Sequence, residues 1–508
     1  MQTLNLELPS FAEIRAEQRT ARQATARARM RDMRRRRFEA AVHNRLTNDW
    51  VAPLTSINAE LRQGLRTMRA RSRELAHNDG YMKKFLSMMR SNIVGPRGIR
   101  LQVRATKGDG LDSVLNTQVE TAFKRWAHKE NCTASRKLTW LDAQNLAVTQ
   151  VFRDGECLIR KVTADNEFGF ALKFIDVSFL DELYNTELPN GNRIWMSVEV
   201  DQNEQIVAFY LTTPYYEQLY PQGRQLHRVR VPASEIIYLP FWLDDEAATR
   251  SAPAAHAAMR NLRELGAYVE AKVIASRVEA CQMGFLIPPA TEEISPLEDQ
   301  LTAVPSEIEA QPAIFPELPP GYDMKMFAPH SPNGNEGEFL KAMLRGVAVG
   351  FDVDYTTFAS DLREVNFSSI RSGIQEAREV YRYWQSYFIE HLNREVYLAW
   401  LRSAILSEAI EGMLARDFDR VNDPKWLARG WTYVNPLQDV EADSLRVNNA
   451  FTTRTAVAAD EGEDFEEILE MLQAEQKLAD KYGIQFVLPA GAASVQQPAP
   501  ADGGDSVA

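Results

Sequence analysis

Over much of the chain apolar residues recur at steps of three and four, the spacing that predicts amphipathic helices. Between Ser56 and Arg90, Leu61, Leu65, Met68, Leu75, Phe85 and Met89 follow it among Arg, Lys and Glu. The pattern stops at Asn92-Ile93-Val94-Gly95-Pro96-Arg97-Gly98-Ile99, where Gly and Pro end a helix. Ile99, Leu101 and Val103 then alternate with polar residues, as a half-buried strand does. Two further helices are expected at about 113–129 and 139–152. From Pro253 to about Val278, Leu262, Leu265, Val269, Val273 and Ile274 lie along one side of a long helix, and a shorter one covers Gly337–Val349. From Phe367 to about Glu411, Ile370, Ile374, Ala377, Tyr381, Trp384, Phe388, Leu392, Val396 and Trp400 keep the period. About 40 helical residues span roughly 60 Å, more than a globular core covers, so such a helix packs against copies of itself, curves or kinks. A last helical segment is expected at 438–487, ahead of a Pro, Ala, Gly and Ser tail at 488–508 that reads as disordered.

Between 151 and 240 the period shifts to two. Phe152–Arg160 reads as a turn opening a strand, with further strands at Phe170–Phe174, Ile194–Val200, Ile206–Tyr210, Arg228–Val231 and Ile236–Leu239. Turns at Pro189-Asn190-Gly191-Asn192 and Pro221-Gln222-Gly223 separate them, predicting a small antiparallel barrel or sandwich. The fold class is therefore α+β, mainly helical.

Composition adds limits. A chain of 508 residues exceeds one ordinary core, and 45% hydrophobic with 25% charged residues is the balance of globular proteins. No run approaches 18 apolar residues, so no membrane contact is expected. Cys132, Cys157 and Cys281 lie far apart, without a Cys-x-x-Cys pair, and read as reduced thiols. A net charge of −12 disfavours a tight grip on phosphate.

Charge is unevenly spread. Residues 15–37 hold ten arginines, ending in Arg34-Arg35-Arg36-Arg37: an arm for nucleic acid or an acidic partner, or a solvated tail. Residues 279–324 contain no Lys or Arg but nine acids and eight prolines, which excludes a long helix there. That stretch reads as a compact excursion with an acidic surface bearing Glu292, Glu293, Glu298, Asp299, Glu307, Glu309 and Glu317. Gly350–Asn366 reads as a loop carrying Asp352, Asp354, Asp361, Arg363, Glu364 and Asn366.

The search for reaction chemistry is negative. No phosphate-binding Gly-x-x-x-x-Gly-Lys-[Ser/Thr], Gly-x-Ser-x-Gly, His-Glu-x-x-His or dinucleotide fingerprint occurs, and no two histidines stand at helical metal-ligand spacing. Neither cofactor nor metal is expected, and the chain reads as no enzyme. Asp154-Gly155-Glu156 reads as a backbone-driven turn, Asp244-Asp245-Glu246 as a charged loop before a helix, and Ser368-Ser369 as a helix opening. Trp384, Tyr387 and Phe388 read as packing residues rather than a base-stacking platform.

One family brings these parts together. Gly350-Phe351-Asp352-Val353-Asp354-Tyr355, then Asp361 and Val365-Asn366-Phe367-Ser368-Ser369 with Arg371 and Arg378, resembles the segment that opens the long helix in lambda-type phage portal proteins. Asn92-Ile93-Val94-Gly95 with Gly98-Ile99, Arg153-Asp154-Gly155-Glu156, Trp431-Thr432-Tyr433-Val434-Asn435-Pro436 and Glu461-Gly462-Glu463-Asp464 are similar to other landmarks of that family. The resemblance runs from about residue 50 to 485. One landmark departs: relatives often carry Arg-Gly ahead of the first long helix, and here Arg250 precedes Ser251.

The resemblance implies a basic arm (1–50), a wing of helices and β-rich part (51–250), a stem helix (251–280), a clip (281–336), a second stem helix (337–349), a tunnel loop (350–366), a long helix returning to the wing (367–437) and a helical crown (438–487). It implies a ring, commonly of twelve copies, at one capsid vertex of the virion, assembled in the host cytoplasm. Double-stranded DNA would pass without sequence recognition during packaging and ejection. Partners implied are the terminase large subunit, major capsid and scaffolding proteins, and later the head–tail connector. A tunnel lined with carboxylates suits passage, since repulsion prevents stalling. With no nucleotide motif, ATP hydrolysis is expected of a separate protein. The competing expectation is a minor capsid or connector protein that does not line the channel.

Overall fold

The computed structural model describes residues 54–108, 110–212, 228–241, 245–280, 284–287, 323–326, 336–361, 363, 367–431 and 436–484. Helices predominate, and the strands form small antiparallel sheets, the expected α+β class.

The run expected from Ser56 to Arg90 is two helices, α1 (Ile57–Asn78) and α2 (Gly80–Ile93). Asp79 divides them, because its carboxylate accepts from the Met82 N–H at 2.7 Å and caps the second. After the short strand β1 (Arg100–Gln102) come α3 (Ser113–Trp126) and α4 (Trp140–Asp154). Helix α4 opens on a capping box between Thr139 and Asp142 and closes at Gly155, whose φ is +86°. Phe85, Val119, Phe123, Trp126, Val151 and Phe152 from these helices are buried in one continuous core.

The β-rich part contains β2 (Glu156–Thr163), β3 (Phe170–Ile175), β4 (Thr186–Glu187), β5 (Arg193–Trp195), β6 (Val198–Val200), β7 (Ile206–Thr212), β8 (Arg228–Pro232) and β9 (Ile236–Pro240). They form a five-stranded sheet in the order β8-β7-β6-β5-β4 and a three-stranded sheet in the order β9-β2-β3. Leu158, Ile175 and Ile236 of the small sheet share a buried core with Val198, Val200, Phe209 and Val231 of the large one, so the arrangement is a sandwich. The single strand expected over Ile194–Val200 is instead a hairpin. Met196 and Ser197 turn the chain at φ +46° and +70°. Two left-handed residues without glycine need support, and here Asn185 Oδ1 accepts from Met196 N at 3.0 Å while the Tyr184 carbonyl accepts from Ser197 N at 3.0 Å.

A 3₁₀ turn, Ala254–Ala257, leads into α5 (Met259–Ala280). Strands β10 (Gly284–Ile287) and β11 (Asp323–Met326) pair antiparallel. Helix α6 (Glu336–Gly350) then packs back along α5, with Tyr268 and Phe339 ring centroids 5.1 Å apart and an ion pair between Lys272 and Glu336. Helix α7 (Phe367–Phe388), a π-helical turn (Ile389–Asn393) and α8 (Arg394–Leu406) make one nearly continuous rod. It stops a turn short of the expected Glu411, and the π turn shifts its face midway. The rod is thus a helix with a defect, which keeps Trp384, Phe388, Val396, Tyr397 and Trp400 all in the core. Trp384 stacks on Phe241 at 5.1 Å, so the aromatic trio packs the interior as expected.

Strand β12 (Lys425–Leu427) returns to pair with β1. The single segment expected at 438–487 is three helices, α9 (Pro436–Asn448), α10 (Arg454–Asp460) and α11 (Phe465–Tyr482). Thr453 and Asp464 cap the second and third, and these polar caps interrupt the apolar period.

Candidate functional site

Among the described residues, a densely bonded buried polar site begins at the end of α4. Gly155 is left-handed, and a Cβ there would sit 2.5 Å from the Ala252 carbonyl carbon, so only glycine fits. The next residue, Glu156, is fully buried. Arg250 Nε donates to its two oxygens at 2.9 and 2.8 Å, and Arg69 Nη2 donates to Oε1 at 2.5 Å. The Tyr238 hydroxyl lies 2.8 Å from Oε2. Arg250 also donates to the Met196 carbonyl at 2.9 Å, holding the left-handed hairpin, and Arg69 reaches Glu182 at 2.8 Å. Beside it, Asp154 accepts from Arg73 at 2.8 Å and Arg153 at 2.7 Å.

Burial alone would depress both inner guanidiniums. At Arg250 the charge and hydrogen bonds of Glu156 overcome it and raise the pKa, while at Arg69 burial prevails. Arginine starts so high that both remain cations at neutral pH. Burial likewise pushes the thiols of Cys132 and Cys157 up, so they are protonated core residues, as expected of reduced thiols; Cys281 lies outside the described residues. Asp154-Gly155-Glu156 is therefore a structural clamp joining α1, β2, the β5–β6 hairpin, β9 and the entry to α5. Sequence reasoning missed Arg69 and Arg250 as parts of it. They stand 87 and 94 positions from Glu156, and no local pattern marks such a pair.

Three other sequence landmarks meet as contacts. The Asn92 side chain accepts from Trp431 Nε1 and Arg429 Nη1, each at 3.1 Å, while Gln385 donates to the Asn92 carbonyl at 3.0 Å. Gly430 and Gly462 bring two backbones together: a Cβ on Gly430 would lie 2.1 Å from the Glu461 carbonyl carbon. Around that crossing Arg100 donates to the Gly462 carbonyl at 2.6 Å, Arg97 pairs with Glu463 at 2.6 Å, and Gln102 bonds Asp464.

The loop after α6 is more ordered than its sequence suggests. Phe351 stacks on Phe85 at 4.1 Å, and Phe358 is buried. Between them Tyr355–Ala359 is a short helix capped by Asp354, which accepts from Thr357 N at 2.8 Å and also bonds the Thr356 hydroxyl. Asp361 accepts from Arg363 Nε at 2.9 Å, and that hydrogen bond holds its carboxyl below the usual range. Asp352 is exposed at φ +55°. Of the acids expected in the tunnel, then, Asp354 and Asp361 are committed to local contacts, and Asp352 faces solvent.

Glu364 and Asn366 lie outside the described residues. So do Glu292, Glu293, Glu298, Asp299, Glu307, Glu309 and Glu317 of the acidic excursion, and Arg34, Arg35, Arg36 and Arg37 of the arm. Among the described residues no helix is long and apolar enough to cross a membrane.

The paired helices α5 and α6 have an unusual surface. Leu262 and Leu265 are buried, but Val269, Val273 and Ile274, on the same expected stripe, are each about half exposed, and Val349 at the end of α6 is 79% exposed. The apolar face runs past the core that covers its beginning.

Comparison with known proteins agrees with this construction. The family model described as "Phage portal protein, lambda family" matches residues 43–385. The chain is 30% identical over 460 residues to a probable portal protein of Halomonas phage phiHAP-1, covering 88% of each chain. It is 19% identical over 458 residues to Portal protein B of Escherichia phage lambda, with 82% of this chain and 85% of that one covered. A chain in the neck of an empty GTA particle is similar at TM-score 0.43 and 12% identity, over 79% of this chain and 94% of that one. With its landmark segments meeting in space, a family model spanning α1 to α7 and a relative alike along nearly its whole length, the chain belongs to the lambda family of phage portal proteins.

Proposed function

We propose that the chain assembles into a closed ring, commonly of twelve copies, that forms the channel for double-stranded DNA at one capsid vertex. One observation carries this reading: the α5–α6 pair presents Val269, Val273, Ile274, Phe339 and Val349 to solvent. Exposed apolar side chains along two antiparallel helices call for a partner, and an identical neighbour supplies one in a closed cyclic assembly.

In this reading α1 to α4 with the sandwich are the wing, α5 and α6 the stem, and 281–336 the clip. Residues 350–366 form the tunnel loop, α7 and α8 return to the wing, and α9 to α11 are the crown. Asp352, Asp354, Asp361, Arg363, Glu364 and Asn366 would line or support the tunnel, the exposed Asp352 repelling passing phosphates. The clip acids would give the terminase large subunit, and then the head–tail connector, a face that steers encounter by charge. The basic arm with Arg34 to Arg37 would meet scaffolding or major capsid protein or DNA. The ring works in the virion and is built in the host cytoplasm.

The test is the mass of the purified full chain in moderate salt. Twelve copies of a 57.6 kDa chain give a species on the order of 700 kDa. A stable monomer or dimer across salt and concentration would exclude the ring.

A further inference from the structure

Helix α2 carries a cationic stripe in an acidic protein. Residues 57–93, which make up α1 and α2, hold eight Lys and Arg against three acids, while in the whole chain 70 acids outnumber 58 bases. Helix α2 itself contains no Asp or Glu. Lys83, Ser87 and Arg90 follow one another along it at steps of four and three, flanked by Lys84 and Ser91. Both lysines are exposed and Arg90 is half-buried. Among the described residues none of these three cations has an ion pair. The nearest acid in sequence, Asp79, is engaged in capping the helix through the Met82 N–H.

The stripe faces away from the loop after α6. Tyr81 and Phe85 of α2 meet Phe358 and Phe351 of that loop, with ring centroids 5.7 and 4.1 Å apart. At about 100° per residue, Lys83 and Arg90 stand on the other side of the helix from those two rings. On α1, which packs beside α2, Arg62, Arg66 and Arg71 are exposed and have no ion pair among the described residues. Between residues 57 and 93 no large apolar side chain is exposed. A protein partner is normally anchored by aromatic and apolar side chains, whereas an interface with nucleic acid is polar and strongly positive. Charge without apolar anchors therefore favours a phosphate backbone. Lys83 and Arg90 stand about 10 Å apart along the axis, a length over which duplex DNA carries about six phosphate charges.

We propose that Lys83, Lys84 and Arg90 form a contact for the phosphate backbone of duplex DNA, without base recognition, on a face of the chain turned away from the loop after α6. The inference goes beyond the ring reading and does not need it. Three cations on one short helix give a weak, salt-labile hold, which does not oppose the sliding favoured by a net charge of −12.

The experiment measures binding of a random-sequence duplex to the full chain across salt concentration. Four proteins are compared: the wild type, Lys83→Ala with Lys84→Ala, Lys83→Arg with Lys84→Arg, and a control that removes two exposed lysines elsewhere, Lys129→Ala with Lys137→Ala. The arginines of residues 15–37 are present in all four, so a difference between them belongs to the substituted positions. Circular dichroism verifies folding, and mass photometry records the oligomeric state. Each lost phosphate contact removes about 0.9 from the slope of log affinity on log salt, so the Lys83 and Lys84 alanine pair is expected to lower it by about two. The arginine pair and the control should keep the wild-type slope. An unchanged slope in the alanine pair overturns the proposal, and so does an equal fall in the control, which would make the effect one of net charge. An unchanged slope with loss of polyglutamate binding would assign the stripe to an acidic protein instead. A folded alanine pair with an altered oligomeric state would make it a contact between copies, and likewise overturn the DNA contact. A wild type that stays monomeric yet shows the expected slopes removes the ring reading and leaves this contact standing.

Discussion

Glu156 is shared by two buried guanidiniums and the hydroxyl of the half-buried Tyr238. Such a cluster is stable only when complete, because removing one partner leaves the others charged and buried. Glu156→Gln is expected to destabilise the chain by about 3–5 kcal/mol, read as a lower urea midpoint at unchanged slope. A loss within about 0.5 kcal/mol, the range of surface substitutions, would mean that the cluster is not structural. Gly155→Ala strains a left-handed residue and drives a methyl into the Ala252 backbone, so soluble yield should collapse or the melting temperature fall sharply.

Acid sensitivity also belongs to single residues. The hydrogen bond from Arg230, at 2.8 Å, with help from Asn192 and Tyr210, holds the Glu199 carboxyl below its ordinary value. A depressed folded pKa stabilises above the unfolded value near about 4.3 and ceases to do so as pH falls through the folded one. The five-stranded sheet should therefore weaken below about pH 4, and Glu199→Gln should flatten that part of the curve. Melting curves from pH 6 to 3 test it; parallel profiles for the two proteins would refute the assignment.

At the scale of elements, the α5–α6 pair is buried at one end and exposed along the rest. Its inner turns belong to the core through Leu262 and Leu265, while Val273 and Ile274 are 46% and 52% exposed. Val273→Glu should leave monomer stability within about 0.5 kcal/mol and abolish the ring, because the charge would enter a desolvated interface. Ring formation by this variant would remove the stem face from the assembly. The loop after α6 is pinned by Phe351 and Phe358, so its charged groups are presented from a fixed frame. The signal for that order was present in two phenylalanines seven residues apart, but their partner Phe85 lies far away in the chain.

For the whole molecule the leading physical fact is a net charge of −12 in a protein that handles DNA. An acidic ring should bind duplex weakly, with a small salt slope, and let it slide. Asp352→Lys would place one added cation per subunit on the loop; stronger, more salt-dependent retention of DNA and slower packaging are expected. Unchanged retention would place Asp352 away from the DNA path.

Periodicity alone identified most helices and the β-rich region, because burial on one face leaves a mark every three or four residues in a helix and every second residue in a strand. The family followed from short landmark segments such as Asp154-Gly155-Glu156 and Glu461-Gly462-Glu463-Asp464. Those same segments concealed their reasons. That Glu156 needs Arg69 and Arg250, that Gly430 must admit the Glu461 backbone, and that Met196-Ser197 turns a strand into a hairpin all depend on partners remote in sequence. Electrostatic and close-packing demands act through distance in space, and a linear pattern records only the face each residue turns to the core. Equally, Leu262 and Val273 share one apolar stripe in the sequence, yet only folding separates the position that fills the core from the one left half exposed.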